Sequence, residues 1–128
     1  MQQGAGSQAI VSVQNPLVLK DRSEPQPDIA LLRPRPDFSG AWLPQSTDTL
    51  LVTEVADTSV EYDRDKLRLY ANAGIAEVWL VNLPADVVEV HRNPRGERYL
   101  KVRTARRGET IAPLAFPDLT LRVDAILG

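Results

Sequence analysis

The stretch "LLVTEVADTSVEYDRDK", residues 50–66, decides how this chain is read. Its first half belongs to "TLLVTEVA" (49–56), which is apolar on both faces, as in a central strand covered on two sides. Glu54 interrupts that run on the face of Leu50 and Val52. A carboxylate there is costly to bury unless it is paired or coordinates a metal. The second half opens a helix over about residues 59–73. Thr58 and Glu61 have the spacing of a capping box, and Gly74 stands where a C-terminal glycine belongs. At about 100° per residue, Val60, Leu67 and Ala71 form one apolar line. Glu61, Arg64, Asp65, Arg68 and Asn72 fall on the wet side, whereas Asp63 and Lys66 fall inward. Lys66 lies beside Tyr62, Leu69, Tyr70 and Ala73. Taken alone, an inward Asp63 and Lys66 pair with each other or snorkel to the rim of the sheet. Glu54, on the strand that leads into this helix, gives them a second meaning.

Outward from this stretch the chain is β-rich. "AIVSV" and "LVL" read as a strand or hairpin broken by "QNP", and "SEPQPDIALLRP" as a strand bracketed by prolines. "RPRPDFSGAWLPQSTD" is a loop. After the helix, "AEVWLVN" is a strand, "VVEVHR" and "RYLKVRT" form a hairpin around "NPRGE", and "LTLRVDAIL" is a closing strand. The order is β-β-β-α-β-β-β: an α/β class with a mixed α+β sheet. A central strand covered on both faces needs two covering layers, and only one good helix is present. This points to a layer that should precede the chain.

Composition bounds the chemistry. The 128 residues make one domain (1–128, with 1–8 expected to be disordered), and the 43% hydrophobic and 25% charged shares are ordinary for a folded domain. There is no cysteine and the only histidine is His91, so thiolate chemistry and multi-histidine metal sites are excluded. Carboxylates, lysines, hydroxyls and an oxygen-seeking cation remain. No apolar run approaches the roughly 18 residues of a membrane span, and "MQQGAGSQAI" lacks the features of a signal peptide. A cytoplasmic protein without a membrane partner is expected. Net charge is −2, but it is unevenly spread. Asp21–Asp65 holds ten acids against four bases, and Arg92–Arg107 holds seven bases and one acid. Trp79 reads as core, Trp42 is unplaced, and His91 reads as a surface or packing residue.

Asp28 opens the strand in "QPDIALL", where a turn residue after proline is also common. With Glu54 near the end of the next strand and an inward Lys66, it completes a set. Two carboxylates can hold magnesium, which lowers the pKa of a bound water and offsets charge on a phosphate, while an ammonium neutralises the developing oxyanion.

The landmarks "VQNPLVL", "SEPQPDIALLRPR", "LLVTEVADTSVEYDRDKLRLYANAGIAEVWLVNL" and "APLAFPDLTL" resemble the bacterial "putative restriction endonuclease" family, within the PD-(D/E)XK nuclease superfamily. The resemblance covers nearly the whole chain. It implies a restriction-endonuclease-like fold and cleavage of DNA with Mg2+ (or Mn2+), with a homodimer expected. It makes Asp28 the motif aspartate and Glu54 the motif acid. The usual lysine position, two residues after the acid, is Ala56 here. In this family the lysine moves into the "YDRDK" segment, which points to Lys66, with Asp63 and Tyr62 in support. Relatives normally carry a further N-terminal segment, with a helix that packs on the sheet. Its absence implies a shortened chain, a start placed too late, or a domain completed by a partner or dimer mate. Within "HRNPRGERYLKVRTARR", Arg92, Arg95, Arg98, Lys101 and Arg103 are candidates for contact with nucleic-acid phosphates; an exposed, solvated hairpin is the plain alternative. Two other functions are compatible with these residues. One is a catalytically inactive nuclease-like scaffold that binds DNA or protein. The other is a carboxylate-pair glycosidase, which the aromatic share of only 5% disfavours.

Overall fold

The computed structural model describes residues 10–13, 27–33, 45–57 and 60–128, and for 10–13 and 60–63 the backbone alone. The expectations for residues 1–8, "LVL", Trp42 and the Thr58–Glu61 box lie outside the described residues. Six strands form one sheet in chain order: β1 (Ile10–Val13), β2 (Ile29–Leu32), β3 (Thr49–Ala56), β4 (Glu77–Asn82), β5 (Val87–Arg95) and β6 (Arg98–Arg106). All neighbours are antiparallel except β3 and β4, which run parallel with helix α1 (Val60–Asn72) as their crossover. A parallel pair needs such a crossover, and it lays the helix on one face of the sheet. The helix ends as its sequence predicts. Gly74 takes φ 81, its N–H donates to the Ala71 carbonyl at 3.0 Å, and Ile75 N–H donates to the Tyr70 carbonyl at 3.1 Å.

Both faces of the central strands are covered, as their unbroken apolar pattern requires. β4 is buried at every position. On the helix face, Ala30, Leu32, Val52 and Val78 pack with Tyr70, Ala73 and Ile75 of the helix and its exit. On the other face, Leu51, Trp79, Val81, Val88, Val90 and Ala105 pack with Ile111 and Val123. That second cover comes from the C-terminus: β7 (Thr110–Ile111) pairs with β8 (Leu121–Arg122), which runs into the short helix α2 (Val123–Leu127). "LTLRVDAIL" is therefore not one closing strand. Val123, Ile126 and Leu127 lie on one side of a helical turn and bury there more apolar surface than an edge strand would. This C-terminal segment covers part of the second face, on which Ile29 and Val55 stay exposed.

The β5–β6 hairpin is longer than expected, because "NPR" continues the strand and only Gly96 and Glu97 turn. Gly96 has φ 62 at the first central position, the place where a type II′ turn uses glycine. Asn93 also adopts φ 63, and beyond it Tyr99 returns to the helix face. The Tyr99 hydroxyl donates to the Ile75 carbonyl at 2.6 Å, and burial pushes the phenol pKa above its ordinary value.

The C-terminal cover is tied down by a fully buried acid. Glu77 accepts hydrogen bonds from Trp79 Nε1, Arg92 Nε and Leu114 N, each at 2.8 Å. Arg92 also donates to the Ala112 carbonyl at 2.7 Å. Glu77→Gln is expected to cost about 1.5–3 kcal/mol in urea unfolding, the range for hydrogen bonds to charged groups. Arg92→Ala should destabilise similarly; unchanged stability in Arg92→Ala would mean that this residue is not part of the framework.

Candidate functional site

Glu54 faces the helix from the middle of the sheet. Its strand partner across the parallel ladder is Leu80, and only 1% of the residue is exposed. A carboxylate this deep needs donors. They come from α1, which must pass over β3 to reach β4. Lys66 and Tyr70 are four residues apart and so share one helix face. Lys66 Nζ lies 3.4 Å from Glu54 Oε1, and the Tyr70 hydroxyl donates to Oε2 at 2.6 Å. The second is a short, charge-assisted bond, while the first is at the outer limit of a hydrogen bond.

Asp28 precedes β2 and is half-buried. The register Ile29↔Thr53, continued by one residue, sets Asp28 across from Glu54. Its Oδ2 accepts a hydrogen bond from Val55 N at 2.7 Å, which anchors the acid to the strand that carries Glu54. The β2–β3 register shift lies at Leu31/Leu32, away from this end. Asp28 is thus tied to the strand that carries Glu54, and Lys66 reaches Glu54 from the helix. The side chains of Tyr62 and Asp63 lie outside the described residues. Tyr70, which stands beside Lys66 in helical phase and has no role in the sequence reading, bonds Glu54 more closely than Lys66 does. Its i, i+4 spacing from Lys66 was the available signal.

The donor set is one of carboxylate oxygens, with no sulfur or imidazole, and so suits a hard cation such as Mg2+ or Mn2+. Among the described residues no group of three or more acidic or histidine side chains could hold an ion. Among the described residues a cation here would find two carboxylates, with water and substrate oxygens completing its shell, which is how magnesium is commonly bound.

A second polar cluster lies on the same sheet face. Glu89 on β5 also pairs with Leu80, from its other side. Arg64 grips it with both nitrogens, at 2.7 and 2.6 Å, so this residue is not on a purely wet face as helical phase suggested. The guanidinium is long enough to reach from the helix flank down to β5. His91 Nε2 lies 3.1 Å from Glu89 Oε1, and Asn82 Nδ2 3.5 Å from Oε2. His91 is buried, with its ring edge-on to Tyr99 at 6.0 Å, a packing role as expected.

The His91 hydrogen bond, together with the Arg64 pair and the Asn82 amide, outweighs burial and holds the Glu89 carboxyl at about 2, below its ordinary 4.5. The folded state therefore favours ionised Glu89. That stabilisation is complete above pH 4.5 and fades as pH falls towards about 2. In thermal melts the deficit of Glu89→Gln relative to the parent should be largest near neutrality and shrink through that acid window. A deficit independent of pH would show that ionisation of Glu89 contributes nothing.

The basic hairpin is divided by the pleat. Glu89 pairs with Thr104 on the helix face, whereas Val90 pairs with Arg103 and Arg92 with Lys101 on the opposite face. Arg92 is engaged with Glu77, and Arg103 lies 3.6 Å from Glu109. Arg95, Arg98 and Lys101 are exposed. Arg92, Lys101 and Arg103 thus do not stand beside Glu54. Among the described residues no helix is long and apolar enough to cross a membrane.

Comparisons with known proteins bear on the family and the fold. The model of the Uma2 family, described as "Putative restriction endonuclease", matches residues 1–124. No curated protein matches the chain. Among solved structures, the crystal structure titled as "a putative nuclease belonging to DUF820" from Anabaena variabilis superposes with a TM-score of 0.71 at 14% identity. The match covers 99% of this chain and 82% of that one. At that identity the likeness speaks for the fold, and it bears out the nuclease-like α/β architecture.

Proposed function

We propose that the chain, which belongs to the Uma2 family, is a cation-dependent endonuclease that hydrolyses phosphodiester bonds of DNA in the cytoplasm. The observation that supports this reading is the contact of Lys66 with Glu54, on the strand whose backbone also holds the Asp28 carboxylate. In the proposed reaction a water oxygen forms a bond to phosphorus, the bond from phosphorus to the leaving sugar oxygen breaks, and the water's proton ends on that oxygen. Asp28 and Glu54 would hold a divalent cation, Mg2+ or Mn2+, which would offset phosphate charge and make water more acidic. Asp28 is kept in place by Val55 N. Lys66 contributes a positive charge that stabilises the negative charge developing on the phosphate oxygens. The burial of Glu54 keeps water from screening these charges.

Plasmid nicking in Mg2+ or Mn2+ tests the proposal. Glu54→Ala should lose at least about a hundredfold in rate, as removal of one strong transition-state contact does, while its circular dichroism remains folded. An unchanged rate would end the proposal.

A second reading is favoured by one observation: both carboxylates already have partners within the chain. Such a site is satisfied in a catalytically inactive nuclease-like scaffold that binds DNA or a protein without cutting. Calorimetry separates the two, because the inactive scaffold needs no Mg2+ or Mn2+ affinity.

The exposed Arg95, Arg98 and Lys101 are proposed to touch DNA backbone away from the scissile phosphate. Changing all three to Ala should weaken DNA binding and flatten its salt dependence by roughly one unit of slope per lost phosphate contact, measured by anisotropy at several salt concentrations. An identical slope would assign these residues to a solvated surface.

A further inference from the structure

Three buried acids lie in the sheet, and the manner in which each is held differs. Glu77 and Glu89 are each gripped by an arginine at 2.8 Å or less. Among the described residues, Glu54 is held unequally: 2.6 Å to a phenol on one oxygen and 3.4 Å to an ammonium on the other. We propose that Tyr70 is a positioning residue that fixes the Oε2 side of Glu54, so that Oε1, shared with Lys66, is the oxygen offered to a divalent cation. The inference rests on the endonuclease reading above and deepens it.

The two partners differ in mobility. Tyr70 is fully buried among Val52, Ala73, Ile75 and Val78, so its hydroxyl cannot leave Glu54 without repacking that core. The Lys66 side chain is 17% exposed, on a flexible four-carbon stem that can swing while its helix stays docked. They differ in charge as well. A neutral phenol donates one hydrogen bond and does not repel a cation, whereas an ammonium and a divalent cation compete for the same oxygen. Oε1 is therefore the oxygen whose partner must yield, and Lys66 is then released toward the phosphate. The four-residue spacing keeps both groups on one helix face, so a single docked element both fixes the carboxylate and carries the exchangeable charge.

The test is Mn2+ titration calorimetry on the full chain, with thermal melts and plasmid nicking run beside it. Tyr70→Phe should weaken Mn2+ binding about 10–100-fold, the usual effect of losing a hydrogen-bond partner of a ligating group. Lys66→Met should bind Mn2+ as tightly as the parent or more tightly, yet fail to nick. A Tyr70 that serves structure alone would lower the Tm of Tyr70→Phe and leave its Kd unchanged; that result overturns the proposal. Weaker Mn2+ binding in Lys66→Met overturns it too. Should Tyr70→Phe not fold, Lys66→Met decides alone by the same two outcomes. A parent chain that neither binds Mn2+ nor nicks removes the endonuclease reading and this inference with it. A parent that does both, beside a Tyr70→Phe indistinguishable from it, removes only the inference.

Discussion

A carboxylate in the middle of a sheet must be given donors, and in this chain that requirement organises everything on the helix face. β3 cannot reach its parallel neighbour β4 without a crossover, and the crossover helix must lie over the face that carries Glu54. The helix is thus both the hydrophobic cover of that face and, among the described residues, a source of donors to Glu54. Lys66 and Tyr70 meet Glu54, while Arg64, on the flank of the same helix, reaches Glu89 on β5. The helix is held on both sides of β4 by polar contacts that the apolar core below would not by itself place.

The buried acids show how chemistry of the partner separates framework from candidate site. Glu77 and Glu89 both meet guanidinium groups, whose planar fork gives geometric specificity to a pair and never loses its charge. Such pairs behave as locks. The partners of Glu77 come from its own strand, from β5 and from the Leu114 loop, so it fastens the C-terminal cover. Among the described residues Glu54 meets an ammonium, a point charge at longer range. Burial alone would have ranked Glu77 with Glu54; the kind and distance of the cation distinguish them.

Much of this was legible in sequence because it is periodic. The period-2 and period-3.6 patterns set β3, α1 and β4 within about a residue, and the inward phase of Lys66 survives in three dimensions. What could not be read depends on reach and on tertiary context. Helical phase gives the direction of a Cα–Cβ bond, not the reach of an arginine, so Arg64 was placed in water. "VDAIL" fits a strand end or a helical turn equally well, and the choice is made by the open face of Trp79, Val81 and Val88 that it covers. The opposite facing of Arg92, Lys101 and Arg103 follows from register, which the run of basic residues does not reveal until its partner strand is known. Arg92 reads as a phosphate ligand by composition and is a framework residue by contact.

Ala56 gives the last step. It lies two residues beyond Glu54, on the same face, and is fully buried opposite Asn82. A lysine there would start from a fully buried strand position, whereas on the helix the ammonium comes to Glu54 from above the sheet. That placement also changes what the charge depends on. A strand lysine is fixed by the ladder; Lys66 is fixed by how the helix docks, and Arg64, two residues earlier, is clamped to Glu89. In the proposed enzyme the height of the lysine over Glu54 is therefore set partly by an ion pair two strands away, one that contributes no ligand and no proton to the reaction.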